Sequence, residues 1–448
     1  DLHSFPTRRS SDLHIAALTA ASHTLAASAS SDRWYVLGAL TLVYALNIAD
    51  RYSISTLIEP IRTELQLTDS GIAFLTGVAL ALFYVTVGMP IATLADRANR
   101  RNIVALAVVI WSGMTVLCGL AQNYWHLLLA RIGVGIGEAG GTPPSTSIIA
   151  DKFVPAQRPM AMTVLALGAS LGAWLGSSVA GTVAERFGWR AAFIALGVPG
   201  LLVAALVAFT VREPQRGDLD SARGGARPES LGRVLQYIAR HPSVIQLLLG
   251  GTLATFWSWG LMWWTPTFLV RSHGMTVGEA GATLGAMHLF AGTGATLIAG
   301  WLMALPAATD PRYVARLLAY VTAAATIPSI LIYWTDSRAV AVTLLWVLVP
   351  ATYFFMGPVL GLLSNIVPAG MRAQACAVLL FTSNVANLIV APQLIGFMSD
   401  AFAAHAQVGA HSLRWAMAIV APTGFWAAYH LWASARTILE DQARASGL

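Results

Sequence analysis

Charged side chains are scarce in this chain: they make up 11% of its 448 residues, whereas a soluble domain carries about 25%. Hydrophobic residues make up 56%, so the composition argues against a water-soluble domain. A formal net charge of +6 would suit a nucleic-acid partner, but the basic residues are spread over short segments between apolar runs. Membrane topology therefore explains the basic residues better, and no nucleic-acid partner is expected.

Cysteine is also rare. Cys118 and Cys376 each lie inside an apolar run, and their spacing fits neither a metal site nor a disulfide framework. The glycine-rich stretch 131–141 superficially resembles a phosphate loop, but it lies in an apolar segment and no Gly-Lys-Ser/Thr follows. No Ser/His/Asp array or Cys/His pair is visible. We therefore expect no metal, cofactor or nucleotide, and a membrane enzyme is only a remote alternative.

The long apolar runs are the main signal, because a spanning helix needs about 20 mostly apolar residues. Twelve runs qualify, and they predict an all-α membrane protein with two pseudo-symmetric bundles of six helices. Numbered in chain order as helices 1 to 12, they cover residues 34–58, 71–95, 102–121, 125–150, 159–184, 190–211, 243–269, 278–304, 312–334, 338–364, 370–398 and 411–436.

The segments outside these runs complete the organisation. Residues 3–13 (HSFPTRRSSDL) resemble a translated sequencing adapter, so residues 1–13 are interpreted as an artefact. Residues 14–33 are rich in Ala and Ser and are expected to be a disordered lead-in. The bundles should cover 34–211 and 243–436. Between them lies a polar linker, 212–242, whose segment 231–241 resembles an amphipathic surface helix, and residues 437–448 form a tail.

The distribution of basic residues sets the orientation. If the N-terminus is cytoplasmic, the inside segments hold seventeen Lys and Arg residues and the outside segments hold six. The positive-inside rule then places both termini in the cytoplasm, and a bacterial inner membrane is the expected location. The two halves also share a short sequence repeat, because Val154-Pro155-Ala156 recurs as Val367-Pro368-Ala369, 213 residues later. Parallel six-helix repeats are a known plan of transporters.

Ionisable side chains inside membrane helices are costly and usually functional. Four occur here: Asp50 and Arg51 in helix 1, and Arg131 and Glu138 in helix 4. A rise of about 1.5 Å per residue places Asp50 and Arg131 at similar depths, so an ion pair between them is feasible. Adjacent residues project about 100° apart, so Asp50 and Arg51 cannot both face one cavity. A static buried salt bridge is the structural alternative.

The second half offers no matching charges. Candidate cavity residues there are Trp263 in helix 7, His288 in helix 8, and Ser383, Asn384 and Asn387 in helix 11. The tryptophans of helix 7 are interpreted mainly as packing residues, and His288 as a satisfied polar residue. Helix 5 carries Gly168, Gly172 and Gly176 at four-residue spacing, which permits a close helix approach and would suit a rocking surface.

Two motifs resemble the major facilitator superfamily: ATLADRANRR (92–101) after helix 2, and RIGVGIGEA (131–139) in helix 4. The first departs from the family pattern at Ala92 and Asn99, where Gly is usual; Asn tolerates a left-handed turn. NIADRYSIS (47–55) and GEAGGTPPSTSIIADKF (137–153) are similar to the Spinster-like group, as are TPTFLVRSHGMTVGEAG (265–281) and RAQACAVLLFTSNVANLI (372–389).

This resemblance implies gradient-driven secondary transport, and eukaryotic members of the group export lysophospholipids or a phosphorylated sphingoid base. By the same resemblance, Asp50 would couple transport to protons, and Arg131 would bind the solute or support coupling. As ionisable residues inside membrane helices, Glu138 is a second candidate for proton coupling and Arg51 a second candidate cation. The cytoplasmic gate would comprise Asp96, Arg97, Arg100 and Arg101.

The sequence therefore predicts a monomeric, proton-coupled transporter, embedded in the lipid bilayer, of an amphipathic or organic-anion solute that is lysolipid-like. Symport of small organic or sugar acids is the alternative, because sugar-acid symporters share a similar Asp-Arg pair in helix 1.

Overall fold

The structure is a computed structural model of the chain. It describes residues 8–79, 86–88, 90–91, 94–95, 97–154, 157–215, 229–405 and 411–446, with side chains from 32 to 444 within these ranges. The secondary structure over these ranges is helical, without a strand. By length and composition, eight of the described helices could cross a membrane.

The first half contains helices 1 to 6. Helix 1 runs from Arg8 to Thr56 and so includes residues 14–33, which we expected to be disordered. The segment is rich in Ala, the residue with the highest helix propensity, which explains the difference. The other described segments are Ile58–Leu65 in the connection after helix 1, Asp69–Ala73 and Phe74–Val78 of helix 2, Arg100–Gly119 of helix 3, Tyr124–Glu138 and Thr142–Lys152 of helix 4, Arg158–Trp174, Leu175–Val179 and Ala180–Phe187 of helix 5, and Trp189–Thr210 of helix 6.

The second half repeats this arrangement. Its segments are Pro242–His273 of helix 7, Val277–Ala286, Met287–Gly292 and Thr293–Met303 of helix 8, Pro311–Trp334 of helix 9, Arg338–Phe354 and Met356–Ile366 of helix 10, Arg372–Asn384, Val385–Val390 and Ala391–Ala403 of helix 11, and Ser412–Val420 and Thr423–Ser434 of helix 12. Helix 11 thus extends five residues beyond the predicted boundary.

Four helices contain a π-helical turn. These turns are Phe74–Val78 in helix 2, Leu175–Val179 in helix 5, Met287–Gly292 in helix 8 and Val385–Val390 in helix 11. Helices 2 and 8 occupy equivalent positions in the two halves, and so do helices 5 and 11. A π turn inserts one residue into a helix and is frequent at functional sites.

The glycines of helix 5 pack within the first bundle. A Cβ at Gly168 would lie 2.9 Å from the carbonyl oxygen of Thr41, and Cβ atoms at Gly172 and Gly176 would overlap the carbonyls of Ala45 and Ala49. These glycines therefore seat helix 5 on helix 1. They do not form the rocking surface between bundles that their spacing suggested, because small-residue spacing does not specify which helix approaches.

The two bundles meet at one end of the molecule, which we call the closed end. It contains the connections around residues 57–69 and 270–277. Here a Cβ at Gly181 of helix 5 would lie 2.7 Å from the carbonyl oxygen of Val277 of helix 8, and one at Gly396 of helix 11 would lie 2.8 Å from that of Asp69 of helix 2. Glycine is needed at both positions because the backbones approach so closely.

The opposite end carries the linker, and we call it the linker end. The linker helix runs from Leu231 to Arg240 and packs on the second bundle through Val234, which is buried, and through the Tyr237 hydroxyl, which donates to the Ile366 carbonyl at 2.9 Å. The tail contains a helix, Ile438–Ser446, in which the buried Asp441 carboxylate accepts from the Ser243 backbone and hydroxyl at 3.1 and 2.6 Å. The tail is thereby attached to the start of helix 7.

Candidate functional site

A buried ion pair lies inside the first bundle. Arg131 Nη1 donates to Asp50 Oδ2 at 2.6 Å, and the Thr115 hydroxyl of helix 3 donates to Asp50 Oδ1, also at 2.6 Å. The Arg131 side chain has no exposed surface. Depth along the two helices made this pair feasible, and the structure places the two side chains in contact. Such a pair persists in a low-dielectric interior because each charge compensates the other.

A second ion pair links helices 1 and 4. Arg51 contacts Glu138 Oε2 through Nε at 2.9 Å and through Nη2 at 2.8 Å. Glu138 is buried, and its other oxygen, Oε1, has no hydrogen-bond partner in the structure. Helix 4 is interrupted directly after Glu138 and restarts at Thr142, with Pro143 in its first turn. Proline suits that position because the N–H it lacks would have no helical partner there.

Asp50 and Arg51 point in different directions, as their adjacency predicted. Asp50 faces helices 3 and 4, whereas Arg51 lines a large cavity between the bundles. Arg131, which we predicted at cavity depth as a solute-binding cation, is enclosed by the first bundle and is absent from the cavity wall. Of the two arginines, Arg51 is therefore the one on the cavity wall.

The cavity has a volume of about 780 Å³ and reaches the loop around Ala308 at the linker end. Helices 1 and 5 form one wall, and helices 7 to 11 form the other. Among the described residues that line it, Arg51 is the one charged side chain. Polar lining residues are Ser55, Thr163, Thr255, Thr296, Thr352, Asn365, Asn384 and Asn387, and the remaining wall is mostly aromatic, aliphatic and Met side chains. The cavity is therefore amphipathic.

Three of the five predicted cavity residues of the second half, Trp263, Asn384 and Asn387, line the cavity. His288 is buried behind the wall, and the Tyr353 hydroxyl lies 3.0 Å from its Nδ1. Ser383 is also buried and outside the lining. Two other tryptophans of helix 7, Trp257 and Trp264, are packing residues whose indoles donate to Ser329 and to the Pro392 carbonyl.

Sequence reasoning missed an aromatic group on the cavity wall. Tyr52 of helix 1 packs against Trp259 of helix 7 and His288 of helix 8, with ring centroids 5.9 and 4.6 Å away. Tyr353 of helix 10 lies beside the same two rings, at 6.5 and 5.9 Å. A signal was available in helix 1, since its lining residues Tyr44, Ile48, Arg51, Tyr52 and Ser55 recur every three to four positions on one helical face.

Three of the four predicted gate residues, Arg97, Arg100 and Arg101, are described by the structure and lie at the linker end. Arg100 is buried and donates to Glu213 at 2.7 Å, to the Pro214 carbonyl and to Asp151. The Arg101 backbone N–H donates to the other Glu213 oxygen at 2.8 Å. Arg97 is exposed, and Asp96, like Ala92, lies outside the described residues. Arg100 and Arg101 thus tie helix 3 to helix 4 and to the segment after helix 6.

Asn99 differs from our expectation of a left-handed turn. Its backbone is extended, with φ −69° and ψ 112°, and its side chain accepts a hydrogen bond from the Asn102 N–H at 3.0 Å. It acts as the N-cap of helix 3, a position at which Asn is among the most favourable residues.

The closed end is held by an ion-pair network that we did not predict. Arg271 of helix 7 binds both oxygens of Asp69, at 2.7 and 2.8 Å, and also Glu59 at 2.7 Å. Burial by itself would raise the pKa of Asp69, but the hydrogen bonds and charge of Arg271 outweigh it and hold that pKa below its usual value. The network joins the first bundle to the second, because Asp69 begins helix 2.

Comparison with known proteins identifies the class. Residues 40–391 match the Major Facilitator Superfamily. The chain is 30% identical over 372 residues to an MFS-type efflux pump of Mycolicibacterium smegmatis, covering 82% of this chain and 84% of that protein. It is 27% identical over 298 residues to a probable galactarate/D-glucarate transporter of Bacillus subtilis, covering 61% and 65%. The chain therefore belongs to the Major Facilitator Superfamily.

Two further similarities narrow the group. The sphingosine-1-phosphate transporter SPNS2 of Danio rerio is 26% identical over 381 residues, covering 81% of this chain and 75% of that protein. A bacterial homolog of the human lysosomal transporter Spinster, solved in an inward-facing and unoccupied conformation, matches with a TM-score of 0.78 and 31% identity, covering 92% and 98%. The chain is a Spinster-like transporter and a multi-pass bacterial membrane protein. The predicted fold, two pseudo-symmetric six-helix bundles, is confirmed.

Proposed function

We propose that this protein couples protons to the movement of an amphipathic organic anion, acting as a monomer in the bacterial inner membrane. The observation that carries the proposal is the composition of the cavity wall. One cation, Arg51, lies on a wall that consists mostly of aromatic, aliphatic and Met side chains, with amides at Asn365, Asn384 and Asn387. An anionic head would bind the guanidinium, and an apolar body would contact the remaining wall. The name of the SPNS2 relative, a sphingosine-1-phosphate transporter, supports this solute class.

Coupling follows from the position of Glu138 behind Arg51. A solute anion that binds the Arg51 guanidinium competes with Glu138 for it, because both are acceptors for the same N–H groups. Glu138 is buried, and one of its oxygens already lacks a partner. A carboxylate that loses its cation in such a place takes up a proton, since an unpaired buried charge is very costly. The Asp50–Arg131 pair would respond in the same way when the helices move.

The orientation is part of the proposal. The excess of basic residues at the linker end favours a cytoplasmic location for that end and for both termini. The closed end would then face outward, and the described conformation would be inward-facing, like that of the solved Spinster homolog. Opening of the cavity toward the linker end would allow solute exchange with the cytoplasm.

Reconstituted flux measurements test the proposal. Uptake or efflux of a lysolipid series and of glucarate and galactarate is measured in proteoliposomes, with and without a pH gradient, for wild type and for Arg51→Lys. We expect lysolipid flux that depends on the gradient, and at least about a tenfold loss of affinity in Arg51→Lys, because Lys cannot donate in a bidentate fork. Arg312→Lys, on an exposed pair with Asp310, is the matched control.

Sugar-acid symport is the competing function. It is favoured by the probable galactarate/D-glucarate transporter among the relatives and by the polar residues of the cavity wall, which include Arg51 and three amides. Gradient-driven flux of glucarate or galactarate without flux of any lysolipid would replace the amphipathic-solute proposal with this one. Chemical alteration of the solute during the assay would contradict both.

A further inference from the structure

A carboxylate of the second bundle caps a helix of the first bundle. Asp400, near the end of helix 11, accepts from the backbone N–H of Asp69 through Oδ1 at 2.8 Å and from that of Ser70 through Oδ2 at 2.9 Å. These N–H groups belong to the first turn of helix 2, where no residue of the same helix can accept from them. The Thr68 hydroxyl accepts from the third, that of Gly71, at 3.1 Å.

A related contact occurs at the other crossing of the closed end. Glu185, near the end of helix 5, places its carboxylate so close to Gly278 that a Cβ at that position would overlap Glu185 Oε2. Gly278 lies in the first turn of helix 8, where Thr276 and Glu279 form a capping box. A carboxylate beside the first turn of a helix is stabilised by the helix dipole.

The two contacts are equivalent under the pseudo-symmetry of the fold. Helix 11 corresponds to helix 5, and helix 2 corresponds to helix 8, so each contact joins the end of one helix to the start of a helix in the opposite bundle. Both crossings are also seated by glycines, Gly396 at one and Gly181 at the other. They differ in strength, because Asp400 is partly buried and makes two hydrogen bonds, whereas Glu185 is exposed.

We propose that Asp400 and Glu185 are a pair of pseudo-symmetric latches that keep the closed end shut, and that Asp400 contributes more. Opening this end withdraws the Asp400 carboxylate from two backbone N–H groups, which must then be hydrated. This latch is separate from the Arg271–Asp69 ion pair, because Asp400 binds main-chain atoms that remain when side-chain charges are removed. The proposal concerns opening of the closed end and does not depend on which solute is carried.

Distance measurements test the latch. Spin labels on Thr63→Cys and Ala404→Cys, one exposed position in each bundle, report opening of the closed end in a full-length background where Cys118 and Cys376 are serine. We expect Asp400→Ala to raise the ratio of open to closed molecules at least about tenfold, equivalent to about 1.4 kcal/mol. Asp400→Asn, with one acceptor left, should give an intermediate ratio, and Glu185→Gln a smaller shift that adds to that of Asp400→Ala.

Two comparisons separate the latch from general destabilisation. Asp310→Ala removes a helix-capping carboxylate that acts entirely within the second bundle, and it should leave the distances unchanged. In an Arg271→Gln background, Asp400→Ala should still raise the open fraction. Unchanged distances in folded Asp400→Ala and Asp400→Asn would overturn the proposal. It would also be overturned if the shift disappeared in the Arg271→Gln background, because Asp400 would then act only by positioning the ion pair.

Discussion

Asp50→Asn provides the sharpest test of proton coupling. The substitution removes the charge opposite Arg131 but keeps an oxygen that can accept from Arg131 or Thr115. Breaking a buried pair by removing one partner costs about 3–5 kcal/mol, and the retained acceptor places this variant near the lower value, at about 3 kcal/mol. A protein whose stability lies in the usual range of about 5–15 kcal/mol remains folded after such a loss.

We therefore expect Asp50→Asn to be folded but less stable, to lose transport driven by a pH gradient, and to retain solute exchange. Thermal unfolding in detergent and flux in proteoliposomes measure the two effects. Asp441→Asn is the matched control, because Asp441 is an equally buried carboxylate that only attaches the tail to helix 7. It should lose stability and keep coupled transport. Full gradient-driven flux by Asp50→Asn would refute the coupling role of the Asp50–Arg131 pair.

Three further predictions concern the two ends of the molecule. Arg271 holds the pKa of Asp69 below its usual value. The Asp69–Arg271 ion pair should therefore stabilise the closed end fully above about pH 4, and this stabilisation should be lost as the pH falls through the lowered pKa. Distances across the closed end, measured against pH, check this. Gly396→Ala should favour opening of the closed end, because its Cβ would lie 2.8 Å from the Asp69 carbonyl oxygen. Gly294→Ala is the control and should not, because a Cβ there would meet no atom within 4 Å. Equal distances across the closed end in the two variants would contradict this. Asp96→Ala should favour opening at the linker end by weakening the predicted gate, and cysteine accessibility from each side, if unaltered, would oppose it.

The buried charges were largely predictable from the sequence. Helical rise and the run boundaries placed Asp50 level with Arg131, and adjacency required Arg51 to diverge from Asp50. Which of the two would face the cavity was not predictable, because that depends on how helix 1 is rotated within its bundle. The spacing of Tyr44, Ile48, Tyr52 and Ser55 around Arg51 contained this information.

The closed end was not predictable in the same way. Asp69 and Arg271 are 202 positions apart and lie near helix ends, where no periodicity relates them. The capping contacts of Asp400 involve backbone atoms, which any sequence provides. Helix 5 was only partly predictable. The spacing of Gly168, Gly172 and Gly176 indicated that another helix approaches closely, but it did not indicate that this helix is helix 1.

The positions of the four π turns suggest that the helices that move and the residues that recognise the solute can change independently during evolution. Each turn falls in one of the helices that cross between bundles at the closed end, and each half contributes two of them. The two buried ion pairs, Asp50–Arg131 and Arg51–Glu138, lie in the first half. Movement of one bundle against the other involves the crossing helices of both halves, whereas solute recognition involves the side chains that line the cavity. A lineage could therefore change its cargo by substitutions in the cavity wall while inheriting its mechanical parts unaltered, which would allow one scaffold to serve very different solutes.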